Sequence, residues 1–118
     1  MDPAAIVQAA EDAHASMDVS RMLECFEEDI VAYWNGKKIA GNIAELSDWY
    51  HAFFDTQQSF ELTKTLQVAS GNRIAVRWTH NRVDANGDRF EAHAAEFWTL
   101  SERNRLVEWH AYCIESPA

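Results

Sequence analysis

A chain of 118 residues, 47% of them apolar, makes one domain with a real core. The net charge of -9 and pI near 4.8 exclude nucleic acid, which needs clustered Lys and Arg, and anionic membranes, but leave room for a neutral, apolar small ligand. Its longest apolar run is too short to span a bilayer, and the opening Met1-Asp2-Pro3 enters a helix with no room for a signal peptide, so a cytoplasmic protein is expected.

Pro3 suits a first helical turn, and Ile6, Val7, Ala10, Ala13, His14 and Met17 follow at helical spacing. Asp18 breaks this helix and caps a second, whose stripe is Val19, Met22, Leu23 and Phe26, closed by Glu27-Glu28-Asp29. A hairpin follows: Ile30–Trp34, the turn Asn35-Gly36, and Lys37–Ala40. Gly41 leads to Asn42, an N-cap with Glu45 as its capping-box partner. The third helix carries the aromatic stripe Leu46, Trp49, Tyr50, Phe53 and Phe54. After the polar connection 55–59, a strand over 60–69 points Phe60, Leu62, Leu66 and Val68 inward and Glu61, Thr63, Thr65 and Gln67 outward.

Ser70-Gly71-Asn72 turns into the stretch that organises the chain, a meander of three long antiparallel strands. They are Ile74–Val83, Arg89–Leu100 and Arg105–Ile114, joined by Asp84-Ala85-Asn86-Gly87 and Ser101-Glu102-Arg103-Asn104. Strands of this length must curl, and the helices must cover the concave face. The order is ααββαββββ, an α+β cone with a cavity between sheet and helices. Alternation puts Ile74, Val76, Trp78, His80 and Arg82, then Phe90, Ala92, Ala94, Glu96, Trp98 and Leu100, then Val107, Trp109, Ala111 and Cys113 on the inner face. The outer face mixes Arg77, His93, Glu108 and His110 with Phe97, Tyr112 and Ile114, a composition that predicts a homodimer through this face.

Glu96 stands out as a carboxyl within a strand that otherwise reads as core. Either it is a structural carboxylate paired with Arg82 or His80, or it faces a ligand. Its Val, Trp and Ala surroundings predict partial protonation near neutral pH, with His80 or a tryptophan N–H as partner. His80 is the candidate proton carrier beside it. Trp34, Trp49, Trp78, Trp98 and Trp109 are core first, yet five Trp in so short a chain suggest flat walls around a flat apolar ligand. Tyr33, Tyr50, Phe53 and Arg82 complete the candidate ligand-binding set. The five histidines show no paired ligand spacing, and Cys25 and Cys113 no metal or redox spacing. No phosphate loop or nucleophile motif occurs, so neither metal nor cofactor is implied.

Several stretches together resemble the nuclear transport factor 2-like superfamily, whose members include ketosteroid isomerases, SnoaL-type polyketide cyclases and limonene epoxide hydrolases. They are the helix junction Met17-Asp18, the Phe26-Glu27-Glu28-Asp29 entry to the first strand, Gly41, Gly71-Asn72-Arg73-Ile74-Ala75-Val76, and Leu106-Val107-Glu108-Trp109. Gly87 through Trp98 is similar to small bacterial members of the SnoaL-like group. The resemblance covers nearly the whole chain as a single domain, 1–118, and implies the cone. It places Glu96 at the oxyanion-hole acid of ketosteroid isomerases, while Trp34 stands at their general-base Asp and Ala10 at their helix-borne Tyr. Ala111 falls at an acidic position of cyclases and epoxide hydrolases, and His80 and Arg82 lie near the epoxide hydrolases' Arg and Asp. The implied function is binding of an apolar ring compound, with cofactor-free isomerisation, cyclisation or hydration. The alternative is a module for ligand binding or protein interaction without chemistry.

Overall fold

The computed structural model describes residues 2–118. Its elements are α1 (Pro3–Ala15), α2 (Val19–Leu23), β1 (Phe26–Trp34), β2 (Lys37–Ala40), α3 (Ile43–Phe54), β3 (Gln57–Ser70), β4 (Arg73–Asp84), β5 (Arg89–Leu100) and β6 (Leu106–Pro117). The helix starts are set by side chains that accept orphan backbone donors. The Asp2 carboxylate accepts from Ala4 N at 3.1 Å, Asp18 from Ser20 N at 3.0 Å, and the Asn42 amide oxygen from Glu45 N at 2.9 Å. Glu45 in turn accepts from Gly41 N at 2.7 Å, one residue before the cap. Asn35 and Gly36 both have positive φ, 51° and 82°, as a tight hairpin turn between β1 and β2 requires.

The strands form one curved sheet in the order β2-β1-β6-β5-β4-β3. β3 through β6 pair antiparallel, with Val76 opposite Glu96 and Glu96 opposite Ala111. β1 joins β6 in parallel, with Ala32 opposite Trp109, so the sheet is mixed rather than wholly antiparallel. The helices close the concave face: Ile6, Val7 and Ala10 of α1, Met22 of α2 and Leu46 and Tyr50 of α3 share a core with Ile30, Val76, Trp98, Leu106 and Trp109.

The structure corrects the sequence reading at five places. The second helix ends at Leu23, so Phe26 opens β1 instead of joining that helix's stripe, its ring 5.9 Å from Trp109, and Glu27-Glu28-Asp29 lie in the strand instead of closing the helix. β3 starts at Gln57, inside the expected polar connection. A register shift between Leu66 and Val68 turns Val68 outward, 62% exposed, against the inward expectation. A second shift between Thr99 and Leu100 sets Leu106 opposite Leu100 in the core and leaves Val107 half-buried. Finally, β6 continues past Ile114 through Glu115 to Pro117, which places Glu115 on the inner face opposite Ala92.

Candidate functional site

Between sheet and helices lies a cavity of about 360 Å³, the size of a small-ligand pocket. Its apolar wall is aromatic: Trp34, Trp49, Tyr50, Phe53, Phe54, Phe60, Trp78 and Trp109. Trp49 lies 5.3 Å from Trp34 and 6.1 Å from Trp109, ring centre to ring centre. Trp34, Trp49, Phe53 and Cys113 are half-buried and Asn35 and Glu115 exposed, which marks the side that meets solvent. Asn35 clamps the β1–β2 turn to β6: its amide exchanges hydrogen bonds with the Cys113 backbone at 2.7 and 3.2 Å.

At the deep end sits Glu96, 1% exposed. Its Oε1 accepts from Trp98 Nε1 at 2.8 Å and Trp109 Nε1 at 2.9 Å, and its Oε2 from Lys64 Nζ at 2.5 Å. A tryptophan N–H was one expected partner and is present; His80, the other, is not. Among the described residues all three hydrogen-bond partners of the carboxyl are donors, so the ionised form is the one they satisfy. That geometry opposes the expected partial protonation. The cation responsible, Lys64, faces inward on β3 and is 3% exposed at its side chain. Its ammonium also lies 4.9 Å from the Trp78 ring centre and 5.8 Å from that of Trp98. Lys64 escaped the sequence reading, although the parity that turned Leu62 and Leu66 inward includes it.

Nearer the mouth, His80 Nε2 lies 2.7 Å from Glu115 Oε2. Arg82 grips the same carboxylate with Nε at 2.9 Å and Nη2 at 2.6 Å, and donates to Gln57 at 3.1 Å. The Arg82 fork holds Glu115 below the usual carboxylate range, so Glu115 is an acceptor. The proton between them therefore belongs to His80 Nε2, and Nδ1 carries the lone pair. Burial lowers the imidazole from its ordinary value, against the pull of Glu115, and keeps it neutral. Among the described residues Nδ1 is buried without a partner, as is the Trp78 indole N–H two residues before it. Glu115 was missed because the strand was expected to end one residue earlier.

A second histidine, His14 of α1, lies behind Tyr50. Its Nδ1 donates to the Ala10 carbonyl at 2.8 Å, which makes Nε2 the acceptor of the Tyr50 hydroxyl proton, also at 2.8 Å. Full burial pushes His14 down to about 4 and the Tyr50 hydroxyl well above its ordinary value, so both stay neutral. Burial likewise pushes the Cys113 thiol up to about 11, which disarms it as a nucleophile.

The cavity thus gathers Glu96, His80, Trp34, Trp49, Tyr50, Phe53, Trp78 and Trp109 from the sequence-derived set. Trp98 lies beneath the wall as a donor to Glu96. Arg82 stands at the rim behind Glu115 and over the Phe90 ring, 4.0 Å away. Tyr33 lies outside, stacked on His110 at 4.5 Å. Among the described residues no three His, Cys, Asp or Glu side chains come together as a metal site, and no helix is long and apolar enough to cross a membrane.

Solved structures share the whole fold. SalBIII, an epoxide hydrolase/cyclase-like enzyme with a role in pyran ring formation in the polyether salinomycin, is 16% identical with a TM-score of 0.84, covering 97% of this chain and 94% of its own. A candidate polyketide cyclase from Xanthomonas campestris is 19% identical with a TM-score of 0.79 over 92% of this chain and 87% of its own. A Catenulispora acidiphila protein with a ketosteroid isomerase-like fold, solved with trimethylamine, is 15% identical with a TM-score of 0.80 over 95% and 86%. At such identities the likeness speaks for the fold. No curated protein matches the chain. The profile of the SnoaL-like domain matches residues 7–109, from within α1 to the first residues of β6; the chain belongs to the SnoaL-like domain family.

Proposed function

We propose that this protein binds a small apolar ring compound in its aromatic cavity and moves a proton on it without a cofactor, as in isomerisation, cyclisation or hydration. One observation carries the reading. A neutral His80 forms part of an apolar cavity wall, its Nε2–H committed to Glu115 and its Nδ1 lone pair unshared. A base held in one tautomer by a carboxylate, itself held by Arg82, is the arrangement that general-base catalysis needs. Glu96 serves to anchor Lys64 in this scheme. The cyclase-like descriptions of SalBIII and the Xanthomonas protein fit ring chemistry of this kind.

Binding without chemistry is the second reading, favoured by the burial of His80 Nδ1 between Trp78 and Phe60, whose rings each lie 4.9 Å from the imidazole. One experiment separates the two. 2-Tetralone, a bicyclic ketone, is titrated against tryptophan fluorescence, and exchange of its α-hydrogens for deuterium is followed by NMR. Proton transfer by His80 requires binding and exchange faster than in buffer, with His80→Ala losing about a hundredfold or more of the rate while still binding. Binding with exchange at the buffer rate leaves the carrier reading standing. Absence of binding by this and other ring compounds overturns both.

A further inference from the structure

Lys64 has more hydrogen-bonding capacity than its protein partners use. An ammonium carries three N–H donors. Among the described residues only Glu96 Oε2 accepts from it. The other oxygen of Glu96 is taken by Trp98 and Trp109, and His14 Nε2 by the Tyr50 hydroxyl. The faces of Trp78 and Trp98 receive the charge but not a directed hydrogen bond. Yet the side chain is 3% exposed and lines the cavity. A buried ammonium with spare protons calls for an acceptor from the cavity itself.

We propose that Lys64 Nζ is a ligand-binding group, holding a ligand oxygen that carries or develops negative charge: the oxygen of a phenol, or of a ketone passing to its enolate. This deepens the reading above and rests on it. The charge count agrees. Lys64 with Glu96, and Arg82 with Glu115, are each neutral as pairs, and His80, His14 and Tyr50 are neutral, so the resting site suits a neutral ligand. When the ligand C–H or O–H bond breaks, its proton goes to His80 Nδ1 and the electron pair settles on the oxygen. Imidazolium and oxyanion then balance, and Lys64 keeps all its protons. The register permits both contacts. Lys64 is opposite Trp78, and His80 is two residues further along β4, opposite Leu62. A flat ring lying along Trp78 spans a diagonal neighbour distance of roughly 7–8 Å between backbones. The oxyanion donor is then the lysine, in place of the protonated carboxylic acid that the resemblance assigned to Glu96.

The test uses 4-nitrophenol, whose phenolate absorbs separately from the phenol, beside its methyl ether 4-nitroanisole, which cannot ionise. In the wild type, bound 4-nitrophenol should ionise at lower pH than free, by at least about tenfold in its acid constant. Lys64→Met alone strands the Glu96 charge, so Lys64→Met with Glu96→Gln is the variant of choice, since it removes both charges together. It should still bind 4-nitroanisole, and the preference for phenolate should vanish. If the wild type binds both compounds yet leaves nitrophenol ionisation unchanged or suppressed, Lys64 is a structural ion and this proposal is wrong. If neither compound binds, the cavity reading itself fails.

Discussion

Glu96 was the one residue that the sequence made conspicuous, and its partners decide what it is. Three donors converge on it and one is a buried cation. Breaking such a pair costs more than its net worth, because the remaining charge is left buried and alone. Glu96→Gln should therefore destabilise by about 3–5 kcal/mol in urea unfolding, whereas a neutral carboxyl would make the exchange nearly harmless. His14 yields a prediction of pH dependence. Its folded value of about 4 lies below the ordinary 6.5. Between these values the unfolded chain binds the proton and the folded chain does not, so stability is full above the unfolded value and falls with pH toward the folded one. The loss should reach on the order of 3 kcal/mol by the lower limit. His80, also lowered by burial, adds in the same direction. His14→Gln keeps an acceptor for Tyr50 and removes a titrating group; a stability slope as steep as the wild type's in this window would show that His14 is not its source.

Among the elements, the β1–β2 hairpin governs one side of the cavity mouth. Gly36 has φ 82° and open space where a Cβ would stand, so backbone strain is the whole cost of a substitution there. Gly36→Ala should cost about 1–2 kcal/mol, read as a lower urea midpoint with an unchanged slope. Asn35 beside it ties the turn to Cys113 through both amide atoms. The bulge in β3 is the element-level feature that local alternation could not show. It lets Lys64 and Leu66 face inward while Val68 faces out. The extended β6 has equal weight, since Glu115 reaches His80 and Arg82 only because the strand does not stop at Ile114.

At the level of the molecule, the outer sheet face carries Phe97, Tyr112 and Ile114, 51%, 48% and 80% exposed, with Phe97 and Tyr112 rings 6.3 Å apart. His93 is paired opposite Ile114 and His110 opposite Phe97. We propose that this face meets a second copy of the chain, its apolar centre buried and its charged rim solvated. Analytical ultracentrifugation at micromolar concentration should find a dimer for the wild type and a monomer for Phe97→Glu with Ile114→Glu. A wild-type monomer would rule the dimer out.

The helix caps, the Asn-Gly hairpin, the inner faces of β4 and β5 and the aromatic wall were all readable from the sequence. Each depends on a local period, or on a turn chemistry that acts within a few residues. The α+β cone followed from the order of those elements, and the nuclear transport factor 2-like fold from the resemblance carried by stretches such as Gly71–Val76 and Leu106–Trp109. What the sequence left open were the pairs that give the site its chemistry. Lys64 meets Glu96 across two strands, Glu115 meets His80 and Arg82, and His14 meets Tyr50 across two helices. The parallel seam of β1 with β6 is of the same kind. Such pairings join residues far apart in the chain and turn on bulges, strand ends and sheet curl. These are settled by burying the whole inner face at once, so only the tertiary structure decides which charge meets which.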